Sequence, residues 1–455
     1  MADYDSAQRF TSFLEAMPPS TLEKLPEFTV DQGLGDYAID VPIDNIISRE
    51  IHELEKEKIW SRAWQMVCRE EQIPNVGDQH VYDICDKSYI IVRAGETEIK
   101  AYVNSCPHRG RALRDYHGNA PQIRCAFHSF TWDLQGALKR LPCFNEFTGE
   151  LHSTAPWSLV EAKVGTWGGF VFINPDPDAE SLESFLGELP HHFRRWNLAD
   201  RYIAAHVSKI VPVNWKVAQE AFMESFHVST THPQAAPVQN NFNTKNDTFG
   251  NFSRHMSLLA TPSPDMKGEV SNQQVVDAAL DRLPDEDPIL TVPPGMQARA
   301  FMAQSQRERL RQSLGDKVDD LEVTELVDIN LYTLFPNFRP WGFFNELCYR
   351  FRPNGDDHRT AIMEVYYLQT FPEGERPSPA KTTHLTIDQW FVEAPELGNL
   401  ARVFDQDVLN FPAMQRGLDS SARGKISLTS NQELKIRHFY EMHADWLGYE
   451  VVRHR

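Results

Sequence analysis

His227 and His232 stand five positions apart, and Glu220 and Glu224 precede them at spacings of seven and three from His227. Steps of four and three put Glu220, Glu224 and His227 on one face of a helix, so the stretch predicts two carboxylates leading into an imidazole. His232 falls off that face. If both imidazoles are to meet one metal, the helix must end or distort near Ser229-Thr230-Thr231, just ahead of Pro233. Two histidines with one distant carboxylate make the facial set that holds Fe(II) and leaves coordination positions open for O2. Two ordinary polar histidines near a helix end fit the same spacing, so this motif alone does not decide.

A second metal signature lies upstream. Cys106-Pro107-His108 and Cys125-Ala126-Phe127-His128 give C-x-H and C-x2-H, sixteen residues apart. Each short loop offers one thiolate and one imidazole. Such a set suits a 2Fe–2S cluster with two Cys on one iron and two His on the other, which raises the reduction potential above that of an all-Cys cluster. A Cys2His2 zinc site in a non-enzymatic protein has the same ligand count, with a different usual spacing. Gly110, Gly118 and Gly136 fit tight loops around a cluster, and Cys143 is expected to be structural. Arg109, Arg111, Arg114, Arg124, Lys139 and Arg140 gather positive charge here, either to dock an acidic electron donor or as a solvated surface with local partners such as Asp115.

These loops need rigid elements behind them. The chain has 455 residues, 41% of them hydrophobic and 11% aromatic, enough for two or three domains with a sizeable core. A formal net charge of −19 argues against nucleic acid or a polybasic membrane surface. No apolar run is long enough to cross a membrane, and the acidic start at Met1 is not a secretory signal; a cytoplasmic location is expected. Residues 1–47 read as an N-terminal helical arm broken by prolines, and Ser48 to Trp64 as a helix with an apolar stripe of Ile51, Leu54, Ile59 and Trp60. Short β-type runs follow at Val81–Ile84, Ser88–Arg93 and Ile99–Asn104, closing near Phe170–Asn174.

Taken together and in this order, C-P-H-R-G, C-x-F-H, Asn214-Trp215-Lys216, E-x-F-H-x4-H-P and Q-D-x7-Q-R-G-L resemble the large (α) subunit of Rieske non-haem iron oxygenases, the ring-hydroxylating oxygenase family, over most of the chain. The resemblance implies that Cys106, His108, Cys125 and His128 hold a Rieske 2Fe–2S cluster and that His227 and His232 bind a catalytic mononuclear Fe(II). It aligns Asp407 with the family's carboxylate ligand, with Asp405 as the fallback. It brings Asn214 and Glu224 beside the iron as candidate catalytic residues. Glu224 takes the place of an aspartate that in the family bridges a cluster histidine of one subunit to an iron histidine of its neighbour, and Phe226 stands where a tyrosine is usual.

The fold implied is α+β: a Rieske β-sandwich domain over residues 48–175, then a catalytic domain over 176–455 whose long antiparallel sheet is covered by helices. The polar stretch of about 234–324 reads as a helical insertion, with a helix over Gln297–Leu314 capping the site. Phe335, Phe338, Trp341, Phe343 and Phe344 are either core or pocket, and Glu433 to Trp446 is a helix on the sheet. The function implied is that of a terminal oxygenase fed by a ferredoxin or reductase. It would use O2 to hydroxylate, or to N- or O-dealkylate, an apolar aromatic compound such as a xenobiotic; ring cis-dihydroxylation and oxidation of choline- or carnitine-like ammonium compounds are the alternatives. A homotrimer is implied.

Overall fold

A computed structural model describes residues 13–29, 33–282 and 286–454. The chain divides into two compact units. One comprises Met1–Ser48, Leu186–Phe351 and Arg359–Arg455; the other comprises Arg49–Phe185 with Arg352–His358.

The smaller unit is built on a seven-stranded sheet in the order Gln65–Arg69, Phe170–Asn174, Glu161–Trp167, Ile99–Val103, Lys87–Arg93, Asp78–Ile84, Gly118–Asn119. Neighbouring strands run antiparallel. A second sheet of three short strands, Ile123–Arg124, Thr131–Trp132 and Leu138–Arg140, carries the Cys125 loop, while the Cys106 loop leaves the strand Ile99–Val103 of the larger sheet. Ile90, Val92, Tyr102, Trp132 and Trp157 form the core with Cys106 and Cys125. Gly136 has φ +78°, and a Cβ there would come within 2.6 Å of the Tyr102 ring. Only glycine lets that ring lie flat against the turn and its hydroxyl donate to the Leu134 carbonyl at 3.0 Å. The helix expected over Ser48–Trp64 is regular only over Arg49–Glu55 and widens over Lys56–Trp60. Ile51, Ile59 and Trp60 are buried as the stripe requires, while Leu54 is exposed.

The larger unit is organised on an eight-stranded sheet in the order Gln239–Phe249, Phe252–Leu259, Ile329–Leu334, Phe338–Pro340, Leu347–Asn354, Asp357–Thr370, Arg201–Val211, Thr382–Leu385. Only the last pair is parallel among the registers described. Strand alternation sorts its side chains onto two faces. On one, Phe252, Arg254 and Tyr332 meet His192, Phe193 and Phe28. The other carries Ser253, His255, Thr333, Arg339, Tyr349 and Phe351 by register. There Tyr349 meets Phe222 and Phe404 at ring distances of 5.1 and 5.9 Å. The helix Leu434–Leu447 packs on the same face, its Lys435 reaching the Leu331 carbonyl.

Two expectations need correction. Much of the polar stretch from 234 is not an insertion: Gln239–Phe249 and Phe252–Leu259 are strands of the main sheet. Their polar residues are buried because tertiary partners satisfy them. Asp247 takes Arg254 at 2.6 Å, and Asn246 donates to the Asn431 carbonyl at 3.0 Å. Among the described residues, the helices of this stretch are Asn272–Ala279, Ala298–Leu314 and short turns before and after them. The N-terminal arm, where described, is not only helical. Beyond Pro19–Lys24 it enters a strand, Ala38–Pro42, held between Lys425–Leu428 and Val452–His454. The parts of the arm at 1–12 and 30–32 lie outside the described residues.

Four of the five aromatics are core, and Trp341 is half-buried beside them. Phe335 stacks on Trp446 at 5.6 Å, Phe343 meets Trp196 at 5.0 Å, and Phe338 and Phe344 are buried. Trp341 packs edge-on against Tyr349 at 6.1 Å.

Candidate metal centres

In the smaller unit, two loops of one design bring four ligand-type side chains together. Cys106 accepts the Gly110 amide on its carbonyl at 2.9 Å, and Cys125 accepts the Ser129 amide at 3.0 Å. The residue four after each cysteine takes positive φ, +74° at Gly110 and +64° at Ser129. Each chain turns back at once, so the two loops set thiol beside thiol and imidazole beside imidazole. Cys106 and Cys125 are 3% and 1% exposed and unbridged. Burial, then the neighbouring Cys125 thiol, pushes the Cys106 thiol up. His108 and His128 lie 4.9 Å apart, and His108 stacks on Phe130 at 4.7 Å. Burial, with His128 and Arg109 nearby, holds His108 below its ordinary pKa. The buried Nδ1 of His108 has no hydrogen-bond partner. Two facing buried thiols, two adjacent imidazoles and one orphaned ring nitrogen fit a 2Fe–2S cluster of mixed ligation.

The surrounding cations are mostly engaged locally. Arg111 pairs with Asp115 at 3.0 Å, Lys139 with Asp133 at 2.8 Å, and Arg124 donates to the Ser129 hydroxyl at 2.7 Å. Cys143, expected to be structural, is exposed.

In the larger unit, His227, His232 and Asp407 converge, with one ligand atom of each within 4.8 Å of the others. The helix begun at Trp215 stops at Glu220, and a separate turn Val228–Thr231 sits between the two histidines. The break ahead of Pro233 is what swings His232 back toward His227. Their rings are 5.2 Å apart. Asp407 projects from the long helix Leu400–Asp419, its Oδ1 3.5 Å from His227 Nε2 and 3.1 Å from His232 Nε2. Each histidine is held from behind. His227 Nδ1 lies 2.6 Å from Glu224 Oε1, and its backbone N–H donates to the other Glu224 oxygen at 3.1 Å. His232 Nδ1 lies 2.9 Å from Gln406 Oε1. With Nδ1–H donated backwards, both Nε2 atoms are presented toward Asp407, the arrangement metal-bound histidines use. Burial opposes charge on His227, but Asp407 and Glu224 outweigh it and push its pKa up to about 10. Burial likewise opposes charge on Asp407, and the two histidines still hold its carboxyl below the usual range. This mutual attraction is what a dication replaces, so the donor set fits iron.

The structure separates residues that the sequence grouped. Glu220 and Glu224 do not share a helix face with His227, because the helix ends between them. Glu220 is instead hydrogen-bonded by the Tyr440 hydroxyl. Asn214 is a helix cap: it is fully buried, and its side chain accepts the Lys216 amide at 3.0 Å. Asp405 accepts the Phe391 and Val392 amides at 2.7 and 3.1 Å, so it holds the chain rather than facing the histidines. Sequence reasoning missed Gln406 and Gln234, whose amides pair reciprocally at 2.7 and 3.2 Å behind His232. Their only signal is adjacency, Gln406 beside Asp407 and Gln234 two after His232.

A β-domain with paired Cys/His loops and a helix-covered sheet with a two-histidine, one-carboxylate cluster make up a Rieske-type two-domain architecture. Residues 63–157 match the Rieske [2Fe-2S] domain, and residues 190–449 match the ring hydroxylating alpha subunit catalytic domain. The chain belongs to this ring-hydroxylating α-subunit family, whose two domains carry a 2Fe–2S cluster and a mononuclear iron. It is 30% identical over 188 residues to a chlorobenzene dioxygenase subunit alpha from Cupriavidus sp. (strain PS12), covering 40% of this chain and 42% of that protein. It is 31% identical over 221 residues to a carnitine monooxygenase oxygenase subunit from Acinetobacter baumannii, covering 47% and 57%. The chain thus spans about half the length of the curated relatives it matches. Among solved structures, a quaternary ammonium Rieske monooxygenase with L-carnitine superposes with TM-score 0.63 at 20% identity, covering 90% of this chain and 96% of that one. Naphthalene 1,2-dioxygenase from Rhodococcus sp. bound to indole gives 0.61 at 19%, covering 90% and 94%. No helix among the described residues is long and apolar enough to cross a membrane.

Proposed function

We propose that this chain is the terminal oxygenase component of a multicomponent Rieske system, hydroxylating or oxidatively dealkylating an organic substrate with O2 and electrons from a ferredoxin or reductase. The observation that carries the reading is the convergence of His227, His232 and Asp407, with each histidine's Nδ1 held from behind. In this reading Cys106, His108, Cys125 and His128 hold the cluster, and His227, His232 and Asp407 hold the iron. When bound, the iron offers open positions to O2 and the cluster supplies single electrons.

The rest is the work of the chain's own residues. Glu224 fixes the tautomer and aim of His227, and Gln406 does the same for His232, so both Nε2 atoms stay pointed inward where a metal would sit. Phe222, Tyr349 and Phe404 exclude water from the space beside Asp407 and offer aromatic surface to a substrate. A homotrimer, in which Glu224 links the iron site to a neighbouring subunit's cluster, and a cytoplasmic location belong to the same proposal.

Product analysis under labelled O2 tests it, using reconstituted protein, a surrogate ferredoxin–reductase pair, and arenes, aryl ethers, N-alkyl anilides and betaine-like amines. One labelled atom in the product, or an aldehyde with a dealkylated product, is the expected result. A doubly labelled cis-diol would make it a ring dioxygenase, and no labelled product from any compound would sink the oxygenase reading.

A further inference from the structure

The sheet face that looks toward the iron-type cluster carries a buried cation with nothing to balance it. Arg339 is 0% exposed, and Nε, Nη1 and Nη2 all lack a hydrogen-bond partner. Other deeply buried arginines are all engaged. Arg69 takes Glu71 at 2.8 Å, Arg254 takes Asp247 at 2.6 Å, Arg350 takes Glu364 at 2.6 Å, and Arg201 donates to the Phe343 carbonyl at 2.6 Å. What Arg339 does have is the Phe351 ring, 5.3 Å from its guanidinium carbon. That contact offsets part of the charge but satisfies none of the N–H groups.

A second cation lies close by. Lys435 is 1% exposed, and its ammonium donates to the Leu331 carbonyl at 2.9 Å. Burial, then the charge of Arg339, pushes its pKa well below the ordinary value, and no carboxylate acts on it. His255, on the same face, is held down to about 3 by burial and then by Lys435. The hydroxyls of Ser253 and Thr333, opposite each other on this face, are buried and unpartnered too.

A guanidinium keeps its charge in a protein, and burying one without a partner is costly. An arrangement of this kind is stable in use when a ligand brings the missing charge. We propose that the substrate is an organic acid whose carboxylate docks on Arg339 and Lys435. Its apolar remainder then lies over Tyr349, which pairs directly with Arg339 across the strands and meets Phe404 on the helix that carries Asp407. A carboxylate matches the planar fork of Arg339 with two parallel hydrogen bonds. As a statement about the substrate this rests on the oxygenase reading; as a statement about binding it does not.

Calorimetric titration of the iron-loaded protein tests it directly, with benzoate, 4-methoxybenzoate and phenylacetate against their primary amides, and with inorganic phosphate as a control. At least one acid should bind about 100-fold tighter than its amide, since removing one partner of a buried charge pair costs about that much. Arg339→Met should abolish most of that preference and Arg339→Lys should restore part of it, with the cluster spectrum unchanged in both. Should Arg339→Met fail to fold, the acid–amide ratio of the unaltered protein still decides. Equal binding of acids and amides, binding of phosphate alone, or no binding of any acid overturns the proposal. A neutral arene oxygenated as fast as its acid would sink the anion site and leave the oxygenase intact. Acid binding without oxygenated product from any compound would do the reverse.

Discussion

The cluster loops of the smaller unit and the iron-type triad of the larger one solve the same problem with different spans of chain. Cys106 and Cys125 sit on two turns of matching design within one small domain, each closed by its own backbone hydrogen bond and each set into a local aromatic core. The triad draws His227 and His232 from a broken helix and Asp407 from a helix far along the chain. A site made of two local loops depends on turn chemistry; a site made across elements depends on the sheet and helices that bring them together. The first should fail by losing a ligand, the second by losing either a ligand or the packing behind it.

The sharpest break in that comparison is Cys125→Ala. It should abolish the visible absorption and the Rieske electron spin resonance signal altogether while leaving mononuclear iron in place; a surviving signal would remove Cys125 from the ligand set. Asp407→Ala should do the opposite, losing mononuclear iron by metal analysis with the cluster spectrum intact. Its companion Asp405→Ala separates ligand from scaffold. Two backbone amides lose their acceptor, so stability should fall by about 1–3 kcal/mol in denaturant unfolding with iron retained. Iron lost from the Asp405 variant and kept by the Asp407 variant would reverse the assignment.

Glu224→Ala should keep both metals and slow turnover by about 10–100-fold, the usual cost of losing a group behind a metal ligand. Rapid-mixing measurement of cluster oxidation reads it, and an unchanged rate would leave Glu224 without a role. The smallest effect concerns Glu220. Burial raises its carboxyl to about 7, against a relieving hydrogen bond from Tyr440. A carboxyl whose folded pKa is raised contributes stability that is fully present below its unfolded value near 4.5 and is lost as pH rises through about 7. The decline should total at most about 3 kcal/mol. Glu220→Gln should flatten the unfolding midpoint across that window, and a midpoint that still falls would point to other groups.

How much of this was legible follows the same division. The C-x-H and C-x2-H loops were readable because ligand spacing and turn residues lie in adjacent positions. The break before Pro233 was readable because a five-residue step cannot return to one helix face. The shared face of Glu220, Glu224 and His227 was not, since Tyr440, from a helix two hundred or so residues on, takes Glu220 where the first helix ends. The role of Asp407 rested on family resemblance, because nothing local separates it from Asp405. The strands at Gln239–Phe249 and Phe252–Leu259 were misread as an insertion for a similar reason. Their asparagines and Asp247 look solvated until partners such as Arg254 and the Asn431 carbonyl are in place.

The small sheet that holds Ala38–Pro42 between Lys425–Leu428 and Val452–His454 has a kinetic meaning. Ile39 pairs with Leu428 and Arg453, so these ladders cannot form until nearly all the intervening chain has been brought back. Closing so long a loop costs only slowly more with length, but contacts of this range come late in folding. The clasp is therefore expected to set after the main sheet rather than before it. Asp40 at its centre, which accepts from His454 at 2.8 Å and from Lys425 and Ser427, acts as a latch on a finished structure, and hydrogen exchange should find these amides among the first of the unit's strands to open.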